Sequence, residues 1–299
     1  AGTYIYPETF WGQQIGGGQK DIGQYSEVRE VEGVVFACAY IKRSVLNAIG
    51  GLNERFFSYF EDTDYCLRAA NAGFKTICCG DVTLIHYQNV STNINKCSFS
   101  DMFLRSQETF KKIWKRELEQ KYNLSLAWHS IIQFPSGYAV SARNMVMALD
   151  RQGVDNRYRY VYGPGTPYPV EEPKNGDNYI INIIASREFD TNMPQVVYGQ
   201  GDVFEKNNGK YKIGFSMLEP NGIPEEWVRQ ANCMDEVWVP STFNVRTFRD
   251  SGAKVPIHVI PLGVDPNFYH PNIRSYKKHH KYTFLSIFEW GERKAPEIL

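Results

Sequence analysis

Residues 126–153 read LAWHSIIQFPSGYAVSARNMVMALDRQG, and they hold one full repeat of an α/β grammar. LAWHSII has strand character and FPSG is a loop. A helix is expected over 139–149, with Ala142, Met145, Val146 and Leu149 on one side, and Gly153 closes it. The pattern recurs downstream. YIINII, VVYG and YKIGFSML read as strands, and a helix over 224–232 opens with Pro224 and two glutamates in its first turn. EVWVPS reads as a strand that runs into Ser241, a helix N-cap, with Gly252 just past the helix end. IHVIPLGVD is a further strand and loop. Short apolar strands alternating with helices are the signature of a doubly wound α/β domain.

Upstream of Tyr122 the pattern differs. Residues 1–32, which include FWGQQIGGGQKDIGQY, are rich in Gly, Gln and Tyr and are expected to form a long surface loop. The glycines at 16–18 lack a preceding strand and a following amphipathic helix, so they do not read as a phosphate cradle. A buried strand is expected at 34–39, then a short helix at 44–49 ended by Gly50-Gly51. ERFFSYFEDTDYCLRAANAGF gives an aromatic run, an acidic cluster and a helix to Asn71, with Asp62 and Asp64 at its start and Gly73 past its end. KTICCG and VTLIHY read as short strands. A charged amphipathic helix is expected over 101–121, its apolar side made by Phe103, Leu104, Phe110, Ile113 and Trp114. At the other end, 266–281 reads as a polar, basic linker, and Tyr282 begins another strand.

A length of 299 residues corresponds to about two ordinary domains. Lys and Arg number 33 and Asp and Glu 33, so the net charge is zero. That excludes a nucleic-acid binder built on phosphate neutralisation. No apolar run approaches the roughly 20 residues a spanning helix needs. The six cysteines (38, 66, 78, 79, 97 and 233) form no CxxC pair, which predicts buried free thiols in a reducing compartment and no zinc site. Nineteen tyrosines raise the aromatic share to 14%, a composition suited to surfaces that hold sugars, peptides or bases. The chain starts at Ala1 without a leader and stops in helix-like sequence, so it reads as a piece cut from a longer polypeptide.

Two constellations carry chemistry. Glu61, Asp62 and Asp64 crowd a loop-to-helix junction, either as plain N-terminal capping or as a pocket in which a carboxylate takes a proton from a hydroxyl. His86 ends the strand-like TLIH, as an ordinary packed or surface residue or as a contact for a divalent metal or a diphosphate. In the second half, FPSGYAVSARN is a glycine-containing loop feeding a helix N-terminus, which is either an ordinary strand–helix turn or a seat for a polar ligand. His129 reads as strand packing rather than an acceptor contact.

Residues 1–115 or so, on the string from REVEGVVFACAYIKRSVLNAIGGLNERFF through YFEDTDYCLRAANAGF to the histidine, resemble the C-terminal half of family-2 inverting glycosyltransferases of the rhamnosyltransferase kind. The resemblance implies half of a GT-A fold, with Asp62 as catalytic base and Glu61 holding the acceptor. It also implies Mg²⁺ or Mn²⁺ at the site, with His86 completing its coordination. The family's nucleotide-binding half and its Asp-x-Asp motif would lie before residue 1, so these residues alone are not expected to transfer sugar.

Residues 128–299 resemble the N-terminal domain of family-4 retaining glycosyltransferases, on EVWVPSTFNVRTFRDSG, VIPLGVDPNFYHP and YTFLSIFEWGERK. This implies the Rossmann-like N-terminal domain of a GT-B fold and the start of a second such domain. By this likeness Ser136, Gly137, Tyr138, Glu219 and Ser241 line the acceptor cleft, Arg293 and Lys294 grip the donor diphosphate, and no metal is needed. The expected organisation is 1–122 for the GT-A part, 123–275 for the GT-B N-terminal domain, and 276–299 for the linker and truncated donor domain. The implied activity is transfer from nucleotide-sugar donors to a growing polysaccharide, capsule or surface glycan, lipid-linked or not, in the cytoplasm or at the inner face of a membrane. The alternative is a glycan-binding or scaffolding segment without turnover. No GxGxxG opens either unit, which disfavours a nucleotide-sugar epimerase.

Overall fold

The computed structural model describes residues 2–86, 98–162, 178–266, 269, 285–288 and 296–298. The chain opens with a hairpin rather than a loop: β1 (Thr3–Tyr6) pairs antiparallel with β2 (Trp11–Gln14). Ile5 and Tyr6 are buried, and their apolar area makes the hairpin part of the core. Beyond β2 the turn is held by Gly16 at φ +72°, where an added Cβ would lie 2.3 Å from the Tyr25 ring.

β3 (Arg29–Val31) pairs antiparallel with β4 (Thr76–Cys78), enclosing α1 (Arg43–Ile49) and α2 (Glu61–Asn71). The strand expected at 34–39 does not form. Apart from a single bridge at Gly33 the ladder ends with Val31, and Val35 is exposed. The strand expected at VTLIHY is likewise absent: 82–86 has no regular structure and is exposed, and Tyr87 lies outside the described residues. Both stretches are apolar in sequence but have no neighbouring strand among the described residues to complete their backbone hydrogen bonds.

α3 (Phe99–Glu119) buries Ser106, Phe110, Trp114 and Leu118, one residue every four, while Leu104 points out. With Ile5, Phe10, Phe56 and Phe60 the three apolar ones form the core of this first unit.

The second unit is a six-stranded, all-parallel sheet. Its strands are β5 (Leu124–Ser130), β6 (Val154–Tyr160), β7 (Pro194–Tyr198), β8 (Tyr211–Phe215), β9 (Glu236–Val239) and β10 (Ile257–Val259), in spatial order β10-β9-β8-β7-β5-β6. Four helices cover it: α4 (Gly137–Arg151), α5 (Asn178–Ser186), α6 (Glu225–Ala231) and α7 (Thr242–Asp250). Consecutive residues of β7 alternate between two cores, as the two-residue period of a strand requires. Val196 and Tyr198 pack with Trp128, Phe215 and the α4 and α5 residues Val146 and Ile184. Val197 packs with Val237, Val239, Ala231 and Phe248 on the α6 and α7 side. Both faces are therefore covered, the arrangement an all-parallel sheet demands.

YIINII, expected as a strand, lies in α5. An apolar run this short fits either period, and here Ile181 and Ile184, three apart, share the α4 core. β6 was not expected at all. Its sequence, VDNRYRY, is charged because it is an edge strand, with Val154, Asn156 and Tyr158 turned inward.

Ionic contacts join the units. Buried Arg187 donates from Nη1 to Asp150 Oδ1 (2.7 Å), from Nη2 to the Tyr122 hydroxyl (2.7 Å) and from Nε to Glu8 Oε1 (2.5 Å). Within the first unit, Lys121 donates to the Ile5 carbonyl and pairs with Glu32 at 2.6 Å. Burial pulls the Arg187 pKa down, but the Glu8 hydrogen bond and the Asp150 charge more than offset it, so the guanidinium stays charged. The expectation of buried thiols holds for Cys66 alone among the described cysteines; Cys38, Cys79 and Cys233 are exposed and Cys78 is intermediate.

Candidate functional site

Two successive aromatic residues, Tyr59 and Phe60, take left-handed backbone angles (φ +69° and +70°) immediately before the acidic helix α2. Bulky side chains there cost about 1–3 kcal/mol each, so the surrounding packing has to impose the conformation. It does so through a ring cluster. Phe60 packs against Phe103 and Phe110, and Tyr59 sits edge-on to Phe99. The strained pair turns the chain sharply and presents the first turn of α2 with its three carboxylates.

Those carboxylates have different surroundings. Asp64 is fully buried, pairs with Arg68 Nε at 2.8 Å and accepts from Trp114 Nε1 at 2.9 Å. Arg68 goes on to donate to the carbonyls of Ile49 and Gly51, closing the end of α1. Asp64 therefore fastens α2 to α1 and α3. Its spacing to Arg68, four residues along one helix face, is legible in the sequence.

Asp62 has no ion-pair partner among the described residues. Its Oδ1 accepts from the Thr63 backbone N–H (2.7 Å) and hydroxyl (3.2 Å), and its Oδ2 accepts from the Phe36 N–H at 3.3 Å. That last bond ties the helix start to the segment that follows β3. Neighbouring Glu61 is half-buried, and its Oε2 is shielded from solvent with no hydrogen-bond partner among the described residues. Burial, and then the charge of Asp62, push the Glu61 carboxyl above its ordinary pKa. Two adjacent carboxyls with divergent environments suit one group that holds a proton and another that takes one.

His86 is exposed and outside any element. Among the described residues no group of three or more His, Cys, Asp or Glu is placed to hold an ion.

The second crevice follows from topology. β5 connects outward to β6 and β7 to β8 on the other side, so the strand order reverses between β5 and β7. Ligands of open parallel sheets bind beyond the carboxyl ends of the strands at such a point. Ser136 lies here as the N-cap of α4, its Oγ accepting from Ala139 N. Gly137 faces open space, with nothing within 4 Å of an added Cβ. The Tyr138 hydroxyl donates to the Met217 carbonyl (2.9 Å) and accepts from the Met217 N–H (3.2 Å), tying α4 to the end of β8. Ser241 caps α7 by accepting from Asn244 N, and Glu219 is exposed in the loop after β8. Arg293 and Lys294 lie outside the described residues. His129 is a packing residue: it is 7% exposed, its Nε2 lies 3.1 Å from the Tyr160 carbonyl, and its Nδ1 lies 3.3 Å from the Gln195 amide.

No family model matches this sequence, and no solved structure does. Curated relatives match part of it. Over 96 residues it is 32% identical to the low-salt glycan biosynthesis hexosyltransferase Agl10 of Haloferax volcanii, covering 30% of this chain and 31% of that protein. Over 119 residues it is 25% identical to the N-acetylglucosaminyl-diphospho-decaprenol L-rhamnosyltransferase of Mycobacterium tuberculosis, covering 38% and 39%. Over 95 residues it is 27% identical to the O-antigen biosynthesis protein RfbC of Myxococcus xanthus, covering 32% and 8%. The chain thus matches well under half the length of each. Two of these relatives are named as hexosyl- or rhamnosyltransferases and the third as a protein of O-antigen biosynthesis. No helix among the described residues is long and apolar enough to cross a membrane.

Proposed function

We propose that this chain is part of a glycosyltransferase of glycan assembly in which Asp62 is the catalytic base. The observation that carries this reading is the division of labour at α2: Asp64 is locked to Arg68 and Trp114, while Asp62, one turn edge away, keeps a carboxylate with no cationic partner among the described residues. In the proposed step the acceptor hydroxyl attacks the anomeric carbon of a nucleotide sugar. A carbon–oxygen bond forms there, the bond to the diphosphate breaks, and the hydroxyl proton passes to Asp62. Glu61, its pKa raised by burial, would hold the acceptor with a hydrogen bond.

The donor would bind to a nucleotide-binding half of the GT-A kind, with Mg²⁺ or Mn²⁺ supplying charge for the leaving diphosphate. Tyr40, Phe57 and Ile85, all large and exposed, give the first unit a surface such a half would cover. The second unit would be a GT-B acceptor domain, its crevice shaped by Ser136, Gly137, Tyr138, Glu219 and Ser241, with Arg293 and Lys294 on the donor diphosphate. The acceptor is proposed to be a glycan or lipid-linked glycan on the cytoplasmic side of a membrane.

A second reading is a glycan-binding segment without turnover. Incubating the full polypeptide with radiolabelled nucleotide sugars and lipid-linked acceptors separates the two. Transfer that is lost in Asp62→Asn supports the enzyme, and binding of glycans with no transfer supports the segment.

A further inference from the structure

A cleft of about 370 Å³ opens between the β1–β2 hairpin and the α4 and α5 helices, and no residue of α2 or of the crevice at the β5–β7 switch point lines it. That volume lies in the range of small-ligand sites. Its walls come from both units: Tyr4, Trp11, Gln13, Gln14 and Gln19 from the first, Arg151 from the second. Trp11 is 45% exposed although its ring is held edge-on against Phe103 at 5.2 Å, so one aromatic face is both fixed and open. The Arg151 guanidinium stacks over Tyr4 at 5.0 Å, and its Nε, shielded from solvent, has no hydrogen-bond partner among the described residues. The glycines at 12, 16 and 17 also line the cleft.

We infer that this cleft is a binding subsite for a neutral oligosaccharide. An aromatic face takes the apolar side of a pyranose ring, and planar amides with one guanidinium match its ring of hydroxyls. The lining holds a single cation and no carboxylate. A nucleoside diphosphate would bring two or more negative charges against that one guanidinium, and an aminosugar would find no anion. Because the two walls belong to different units, a glycan seated here bridges them and holds a growing chain beside both. The inference rests on reading the protein as one of glycan assembly.

The test is retention of the full polypeptide on a printed array of neutral oligosaccharides, uronate-containing oligosaccharides and immobilised UDP. Retention on neutral spots is expected, weakened by about tenfold or more in Trp11→Ala and in Gln13→Ala, as loss of one stacking face or one amide contact predicts. Since Trp11 also packs on Phe103, thermal melts accompany both variants, and Gln13→Ala is expected to melt as the parent does. Retention confined to uronate or UDP spots, no retention at all, or Gln13→Ala binding unchanged would overturn the subsite. Asp62→Asn is expected to lose transfer while keeping array retention. Transfer intact in Asp62→Asn would remove the proposed base without touching the cleft, and failed retention beside Asp62-dependent transfer would remove the cleft alone.

Discussion

Arg187 reaches Glu8 across 179 positions of sequence, its Nε donating to Glu8 Oε1, while its Nη1 pairs with Asp150 at 2.7 Å. One side chain thereby joins the opening hairpin of the first unit to the last turn of α4 in the second. Removing it leaves the Asp150 carboxylate, itself 1% exposed, in the core with the Tyr122 hydroxyl as its one remaining side-chain donor among the described residues. Arg187→Ala is expected to lower stability by about 3–5 kcal/mol, the usual cost of breaking one partner from a buried pair. Glu8→Gln, at the more exposed end, keeps an acceptor and is expected to cost about 1 kcal/mol or less. Urea unfolding of the two variants side by side checks the ordering.

Asp64 and Asp62 are two residues apart yet predicted to fail in different ways. Asp64→Ala strands the Trp114 indole N–H and removes the ion pair of Arg68, so it is expected to lower stability by about 3 kcal/mol and to loosen α2. Hydrogen exchange along 61–71 reads this directly: faster exchange in Asp64→Ala, unchanged exchange in Asp62→Asn.

His129 gives the fold a pH dependence whose sign is fixed. Burial, with the charges of Arg159 and Lys206, lowers its pKa from 6.5 to about 4, while the Tyr160 carbonyl works the other way. The folded state therefore resists a proton that the unfolded chain accepts. The contribution is complete above about pH 6.5 and is lost as pH falls toward 4, at most about 3 kcal/mol. Unfolding midpoints across that window are expected to fall in the parent and to fall less steeply in His129→Gln.

Much of the second unit was legible because its signals are local. Ser241 reads as a helix cap, and it accepts the N–H bond that defines one, whereas Ser136 reads as loop and proves to cap α4 in the same way. The misreadings share a cause in tertiary context. YIINII is apolar enough for either period and became α5 because Ile181 and Ile184 meet α4. VDNRYRY hides an edge strand behind three charges, one of which, Arg157, is tied to Asp155 on the same face of the strand. Residues 34–39 have strand composition but no strand to pair with. At the site, the acidic cluster was visible, but its partition was not. The Trp114 contact that locks Asp64 comes from fifty residues away, and nothing in the Tyr59-Phe60 pair announces left-handed backbone, since that conformation is imposed by rings from α3.

The central claim is that Asp62 takes the proton from the acceptor hydroxyl. The most direct measurement is the transfer rate of the full polypeptide and its Asp62→Asn variant at saturating donor and acceptor, with KM recorded for each. The account predicts a fall in kcat of about 10²–10⁴-fold with little change in KM and an unchanged melting temperature, the scale of losing one positioned base. Transfer by Asp62→Asn at the parent rate would contradict it.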